Sequence, residues 1–421
     1  MLFEEEIKES YILVAVSDST EDNRSLDELE ALLETAGACC VCKVSQHLNN
    51  PDPATYVGSG KAYEIKDLVH MLNATGVVCD DELSPAQIRN LTDIIGVKVI
   101  DRTILILDIF AVHASTNEGK IQVEMAQQKY RLSHLHGIGK ELSRQGGGIG
   151  TRGPGETRLE SDRRRIQKRI SMLSSSIDQM KKVRETNRKK RKDEGIPVVA
   201  VIGYTNAGKS TLLNRLTGAN VLAQDMLFAT LDPTTRICRL LSGQKVLLTD
   251  TVGFINKLPH NLIDAFRSTL EEVKYADILM HVVDMSDPEI DLHMNIVYET
   301  LKKLEAENKP VITVMNKSDR LDDTKKKTGL FTKDKNAVKT LYVSAINGDG
   351  TDDILDAIEG VLKSGQIHVK LSFAYSQGGD IEALRRSSQI IHEEYREGDI
   401  FIEAYIPNAY LGKYAKNIID S

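Results

Sequence analysis

Between residues 11 and about 110, short apolar runs alternate with amphipathic stretches. YILVAVS predicts a strand, and SLDELEALLETAG a helix. CCVCKVS, TGVVCD and GVKVID predict further short strands, with KAYEIKDLVHML and SPAQIRNLTDII as helices between them. That alternation predicts a small α/β domain. Ser25 and Glu28 have the spacing of a capping box for the first helix, and Gly37 supplies its stop. Two much longer helical patterns follow. Ile121, Met125, Gln128, Leu132 and Leu135 recur at steps of 4, 3, 4 and 3, and so do Ile166, Ile170, Leu173, Ile177 and Met180. Such stripes predict two helices side by side in a coiled-coil-like hairpin, ended by Gly195 and Pro197. From Val198 to about Gly360 the chain repeats strand, loop and helix. A separate tail offers a strand in VKLSFAYS, a helix in GDIEALRRSSQIIHEEYRE and a returning strand in DIFIEAYIP. The expected divisions are residues 1–110, 111–195, 196–364 and 365–421.

Composition changes this picture in one respect. Hydrophobic and charged fractions of 41% and 27% are ordinary and exclude wholesale disorder. The net charge of −7, however, hides an asymmetry: Thr151 to Gly195 holds 15 Lys/Arg against 7 Asp/Glu, leaving about −15 elsewhere. A basic segment in an acidic chain is a local electrostatic footprint. MLFEEEIKES lacks the apolar core of a secretory signal, and TILILDIFAVHA is broken by Asp108 and too short to span a bilayer. The expectation is a cytoplasmic protein without a membrane span. Cys39, Cys40 and Cys42 crowd one strand, but no Cys/His pair matches them at ligand spacing, so buried thiols are expected, not zinc ligands. Asp80, Asp81 and Glu82 follow a strand end, as a loop capping the next helix or as a ligand position.

The densest chemistry begins after VVAVIG. There Gly203-Tyr204-Thr205-Asn206-Ala207-Gly208-Lys209-Ser210 spells G-x-x-x-x-G-K-S between a strand and the helix TLLNRL. Glycines let backbone N–H groups turn inward around phosphates, and the helix N-terminus adds its dipole. Lys209 is expected to reach the β- and γ-phosphates and Ser210 to ligate Mg²⁺. KVLLTDTVGF ends a strand in Asp250-Thr251-Val252-Gly253. Asp250 there can hold magnesium through water, and the Gly253 N–H can touch the γ-phosphate. A later strand delivers Asn316, Lys317, Ser318 and Asp319. The Asp319 carboxylate can accept from N1–H and the N2 amino group of guanine, a donor pair that adenine lacks. Ser344, Ala345 and Ile346 follow a final strand, where their backbone can meet guanine O6. Four elements in this order predict a site for GTP as substrate, with Mg²⁺.

A second glycine-rich stretch, RQGGGIGTRGPGETRLE, contains G-x-G-x-x-G at Gly148, Gly150 and Gly153. It follows helix-like GKELSRQ in place of a strand, and Pro154-Gly155 should interrupt any immediate helix, so it fails as a dinucleotide fingerprint. Bare backbone flanked by Arg144, Arg152 and Arg158 suits close approach to an irregular RNA surface; the plain alternative is a hairpin tip with no partner. The helix beyond it carries Arg163, Arg164, Arg165, Lys168 and Arg169.

Three stretches point further: FATLDPTTR, GGGIGTRGPGETRLESDRRRI and DRTILILDIFAVHASTNEGKIQVEMAQ. On them the sequence resembles the HflX family, in the Obg–HflX group of translation-factor-class P-loop GTPases. The likeness runs from the first strand through the GTPase domain and weakens in the tail. It implies an α/β P-loop GTPase domain, preceded by a small α/β domain with a long helical hairpin and followed by a small α+β tail. It also implies that Thr230 completes magnesium coordination and senses the γ-phosphate, as a catalytic partner of Lys209 and Gly253. Phe228, Ala229, Leu231 and Asp232 would close over the nucleotide, while Thr234 and Thr235 stay open as alternative ligands. Family members insert this N-terminal region into the large ribosomal subunit and split stalled ribosomes. The implied partners are therefore that subunit and its RNA, reached through the tip at residues 144–157 and the basic helices by a protein monomeric when free. A GTP-gated RNA-binding protein acting away from ribosomes is the alternative. Phe254 stands where many GTPases place a water-orienting glutamine, so slow intrinsic hydrolysis is expected, stimulated by a partner or cation. Asn206 occupies the position that binds K⁺ in some related GTPases, or else simply braces the loop.

Overall fold

Strand β1 (Ser10–Ser17) is apolar over five consecutive buried residues, as a strand covered on both faces must be. The computed structural model describes residues 9–17, 24–145, 154–193, 195–218, 227–228, 233–257, 267–321, 333–407 and 410–420. Two compact units result. The first comprises Met1–Met180 with Asp225–Leu231 and Lys257–Arg267; the second comprises Lys181–Gln224, Asp232–Asn256 and Ser268–Ser421.

In the first unit β1 lies between β2 (Cys39–His47) and β3 (Gly76–Cys79), with β4 (Lys98–Asp101) beyond, all parallel. Helices α1 (Arg24–Thr35), α2 (Ser59–Leu72), α3 (Pro85–Ile95) and α4 (Arg102–His113) connect or cover them. The capping box expected at Ser25 and Glu28 is not there. Ser25 Oγ donates to Asp80, and Glu28 pairs with Arg102 at 2.9 Å. A box does open α3, where Ser84 and Gln87 exchange bonds and Pro85 takes the first helical position. The acidic cluster is likewise no cap. Asp80 is fully buried and bonded to Arg102 at 2.7 Å and Lys257 at 2.6 Å, because a carboxylate out of water needs cations around it. A register shift pairs Tyr11 with Cys40 but Ile12 with Cys42, so Val41 bulges outward. Cys39, Cys40 and Cys42, on this edge strand, are partly exposed, not buried as expected. Among the described residues no cluster of His, Cys, Asp and Glu could hold a metal.

The two long helices are α5 (Asn117–Gln145) and α6 (Pro154–Asp193). Their expected stripe is buried at Met125 and Leu173, and Arg169 ties the pair by two bonds to Glu124, at 2.6 and 2.8 Å. Pro154-Gly155 does not break this helix but begins it, since the missing proline N–H is of no consequence in the first turn. Residues Gly146 to Gly153 lie outside the described residues.

The second unit is built on a six-stranded sheet of order β10-β9-β8-β5-β7-β6. Its strands are β5 (Val198–Ile202), β6 (Thr234–Arg239), β7 (Lys245–Asp250), β8 (Ile278–Asp284), β9 (Val311–Asn316) and β10 (Lys339–Tyr342). All are parallel except β6, which runs antiparallel on the edge. Helices α7 (Lys209–Thr217), α8 (Arg267–Tyr275), α9 (Ile290–Lys303) and α10 (Thr351–Ser364) complete the α/β pattern around a core including Val199, Val201, Leu248, Met280 and Val314. The carboxyl ends of β5, β7 and β9 carry the sequence motifs, at the sheet edge where ligands of open α/β sheets gather.

The tail forms its own antiparallel sheet, β12-β13-β11-β14, from β11 (Gln366–Phe373), β12 (Gln389–Tyr395), β13 (Ile400–Pro407) and β14 (Ile418–Asp420). The expected helix over GDIEALRRSSQIIHEEYRE stops at Ser387, where α11 (Gly378–Ser387) gives way to extended Ser388. QIIHEEY is instead a strand: β-branched Ile390 and Ile391 suit a pleated surface, and β13 offers a ladder to pair with. Among the described residues no helix is long and apolar enough to cross a membrane.

Candidate functional site

The loop from β5 to α7 has a shape that only its glycines permit. Gly203 sits at φ +151, and a Cβ there would lie 2.2 Å from the Val282 carbonyl oxygen. Gly208, at φ +92, would meet Asn316 Nδ2 at 2.3 Å. Within the loop Ala207 is buried, while Asn206 is exposed at φ +59. Lys209 bends back over the loop, donating to the carbonyls of Gly203 at 3.2 Å and Tyr204 at 2.8 Å. Burial pushes its ammonium down to about 8, against the opposing pull of Asp250. A buried cation that costs this much solvation is poised for an anion. Thr205 Oγ1 is also buried, with no hydrogen-bond partner among the described residues.

Ser210, in the first turn of α7, donates to Asp250 Oδ2 at 2.8 Å. A hydroxyl and a carboxylate are thereby brought together beside the loop, as a hard cation requires. Thr251 turns inward and donates to the Val201 carbonyl at 2.7 Å, and Val252 is buried, so these two hold the β7 end in place. Gly253 lies against Lys209: a Cβ on it would be 2.9 Å from Nζ.

Asn316 joins the loop to the far side of the site. Its Nδ2 donates to the Ala207 carbonyl at 2.9 Å, and its Oδ1 accepts from the Ala345 N–H at 3.0 Å. Lys317 is buried at φ +62 and paired with Asp284 at 2.7 Å. The Ser318 N–H donates to the Val343 carbonyl at 3.1 Å, and Ser344 Oγ to Asp319 Oδ1 at 2.6 Å. Asn316, Asp319, Ser344 and Ala345 thus form one bonded group, with Ile346 exposed at its rim.

The remaining expected positions divide. Phe228 belongs to the first unit, where its ring meets Phe110 edge-on at 4.7 Å. Ala229, Thr230, Leu231 and Asp232 lie outside the described residues. Thr234 and Thr235 stand on β6, and Thr235 shares a hydrogen bond with Thr249 at 3.0 Å. Tyr204 is expected as a member of the phosphate loop, but its side-chain partner His293 has no sequence motif to mark it. The Tyr204 ring stacks on His293 of α9 at 3.7 Å, and His293 Nδ1 lies 3.0 Å from Asp287. The one available signal was a bulky aromatic in a loop otherwise made of small residues.

Family models match three consecutive segments of the chain. The family described as GTP-binding GTPase N-terminal matches residues 23–111, GTP-binding GTPase Middle Region matches 113–191, and 50S ribosome-binding GTPase matches 198–317. A GTPase HflX of Lacrimispora saccharolytica is 52% identical over 414 residues, covering 98% of this chain and 97% of that protein. The GTPase HflX of Escherichia coli is 41% identical over 378 residues, covering 90% and 88%. Among solved structures, a GTP-binding protein from the archaeon Sulfolobus solfataricus in complex with GDP is 24% identical, with a TM-score of 0.44, over 84% of this chain and 98% of that one.

Proposed function

The chain belongs to the HflX family of GTPases, and from that membership we propose that it is a GTP-switched factor that docks on the large ribosomal subunit and splits or rescues stalled ribosomes. In this reading Asp319 reads guanine, with the Ser344–Ile346 backbone beside it. Lys209 and the loop amides hold the phosphates. Ser210 directly and Asp250 through water would hold Mg²⁺, with Thr230 as its further ligand. The 2.8 Å approach of Ser210 to Asp250, and the buried Thr205 hydroxyl left for a phosphate oxygen, fit that ligand set. Magnesium bound there supplies charge neutralisation on the β- and γ-oxygens. Phe254 is buried and cannot orient water, so hydrolysis is slow until a partner completes the site; Asn206 is the place where K⁺ would add to it.

One observation carries the partner half of this reading. Arg163, Arg164, Arg165 and Lys168 are exposed along α6, while Arg188 near its end pairs with Glu272 of α8 at 2.7 Å and lies 4.1 Å from the Tyr275 ring. A helix rich in unburied cations, clamped at one end to the helix that follows Gly253 in the chain, suits a probe of RNA phosphates that answers to nucleotide state.

Sedimentation with purified subunits tests it. With a non-hydrolysable GTP analogue the protein should comigrate with the large subunit, and with GDP it should bind roughly tenfold or more weakly, about 1.4 kcal/mol. If ~7 phosphates are engaged, log K should fall against log salt with a slope of about −5. Binding to free RNA without comigration would favour the GTP-gated RNA-binding alternative and count against this function.

A further inference from the structure

Beyond Gly253 the backbone is laced to the phosphate loop. The Thr205 N–H donates to the Phe254 carbonyl at 2.8 Å, and the Phe254 N–H donates to the Gly203 carbonyl at 3.1 Å. Tyr204 and Phe254 are therefore bridge partners, as if β5 and β7 continued for one more step. The Tyr204 side chain then adds a further tie between the loop and this segment: its hydroxyl accepts from the Asn256 N–H at 2.8 Å. A free phenol would not hold that position. Here the ring is fixed by stacking on His293, at 3.7 Å and 12° between planes, and His293 is itself steadied by Asp287 at 3.0 Å.

The consequence falls on Gly253. Its backbone lies so near the Lys209 ammonium that a Cβ would be 2.9 Å from Nζ, and 2.9 Å from Thr205 Cγ2. For the Gly253 N–H and the Lys209 ammonium to serve one phosphate, the two must lie this close together. We propose that Tyr204 is a positioning residue for hydrolysis, its hydroxyl holding the 253–256 backbone so that these two donors converge on the γ-phosphate. This rests on the phosphate-loop reading of the site. The tyrosine touches no phosphate in this scheme; it acts through Asn256 and Phe254 on Gly253. It therefore distinguishes triphosphate from diphosphate, because only the former offers the group that Gly253 meets.

Tyr204→Phe keeps the ring, its stacking and the fold, and removes only the hydroxyl. One neutral hydrogen bond corresponds to a roughly three- to tenfold effect. Single-turnover hydrolysis should fall by that factor, the preference for a GTP analogue over GDP should fall with it, and GDP affinity should stay at the wild-type value. His293→Ala, which unseats the ring, should move the same two readouts in the same direction, and His293→Phe, which restores an aromatic partner, should recover them. A wild-type single-turnover rate and wild-type triphosphate preference in Tyr204→Phe would overturn the proposal. Lys209→Ala separates the underlying reading: if that variant binds GDP and GTP like the wild type, the phosphate loop itself is misassigned, whatever Tyr204 does.

Discussion

Asparagine in place of Asp319 is expected to weaken GTP binding by a factor of roughly 10² to 10³, and to let xanthosine triphosphate bind better than GTP. The carboxylate can accept from both guanine N1–H and the N2 amino group, and hydrogen bonds to a charged group contribute about 1.5–3 kcal/mol each. Losing most of two such bonds amounts to two or three factors of ten. An amide keeps one oxygen for the Ser344 hydroxyl, now 2.6 Å from Asp319 Oδ1, so the local bonding survives. It presents an NH₂ to the ring where guanine also presents donors, whereas xanthine presents a carbonyl at C2. Calorimetric titration with both nucleotides reads the exchange. Unchanged GTP affinity would remove Asp319 from the base site.

Lys209→Ala should reduce affinity for both GTP and GDP, and turnover with them, by roughly a hundredfold or more, the scale of a lost charge-stabilising donor in a shielded site. The same ammonium gives the wild type a pH signature. Burial pushes it down to about 8, and the negative charge of a bound phosphate would favour the ammonium form. Binding must therefore take up protons above pH ~8, and affinity should weaken as pH rises through that value. The stability sign is the reverse of a salt-bridged lysine. An unfolded lysine titrates near 10.4, so the folded nucleotide-free protein binds fewer protons between about 8 and 10.4 and gains stability as pH rises there. Below about 8 the buried charge is a full liability, and the nucleotide-free alanine variant should melt no lower than the wild type. Titrations at several pH values and thermal melts check both halves. A pH-independent wild type would contradict the lysine's role.

What the sequence made legible follows a physical division. Gly203–Ser210, Asp250–Gly253 and Asn316–Asp319 are contiguous runs, each at the end of an apolar strand, so local pattern and chemistry sufficed to bring them to one sheet edge. Interactions between distant positions were not legible. Ser25 and Glu28 matched a capping box locally, but Asp80 and Arg102 drew them away. Tyr204 and His293 stand far apart in the chain, and the one local hint, a bulky aromatic in a loop of small residues, does not name His293 as its partner. The tail shows tertiary context prevailing over helix propensity: glutamates in QIIHEEY favour a helix, but the open edge of β13 makes it a strand. The position of β2 at the edge of its sheet leaves its thiols part-exposed, which the local sequence could not announce.

The central claim is a division of labour, with one loop gripping the nucleotide and a separate glycine-rich segment meeting the ribosome. Its most direct test is a triple variant with alanine at Gly146, Gly147 and Gly148, carried through a fluorescent GTP-analogue titration and then sedimentation with the large subunit. The account predicts nucleotide affinity within about twofold of the wild type and a loss of subunit binding of roughly tenfold or more. Abolished nucleotide binding, or undiminished comigration with the subunit, would contradict it.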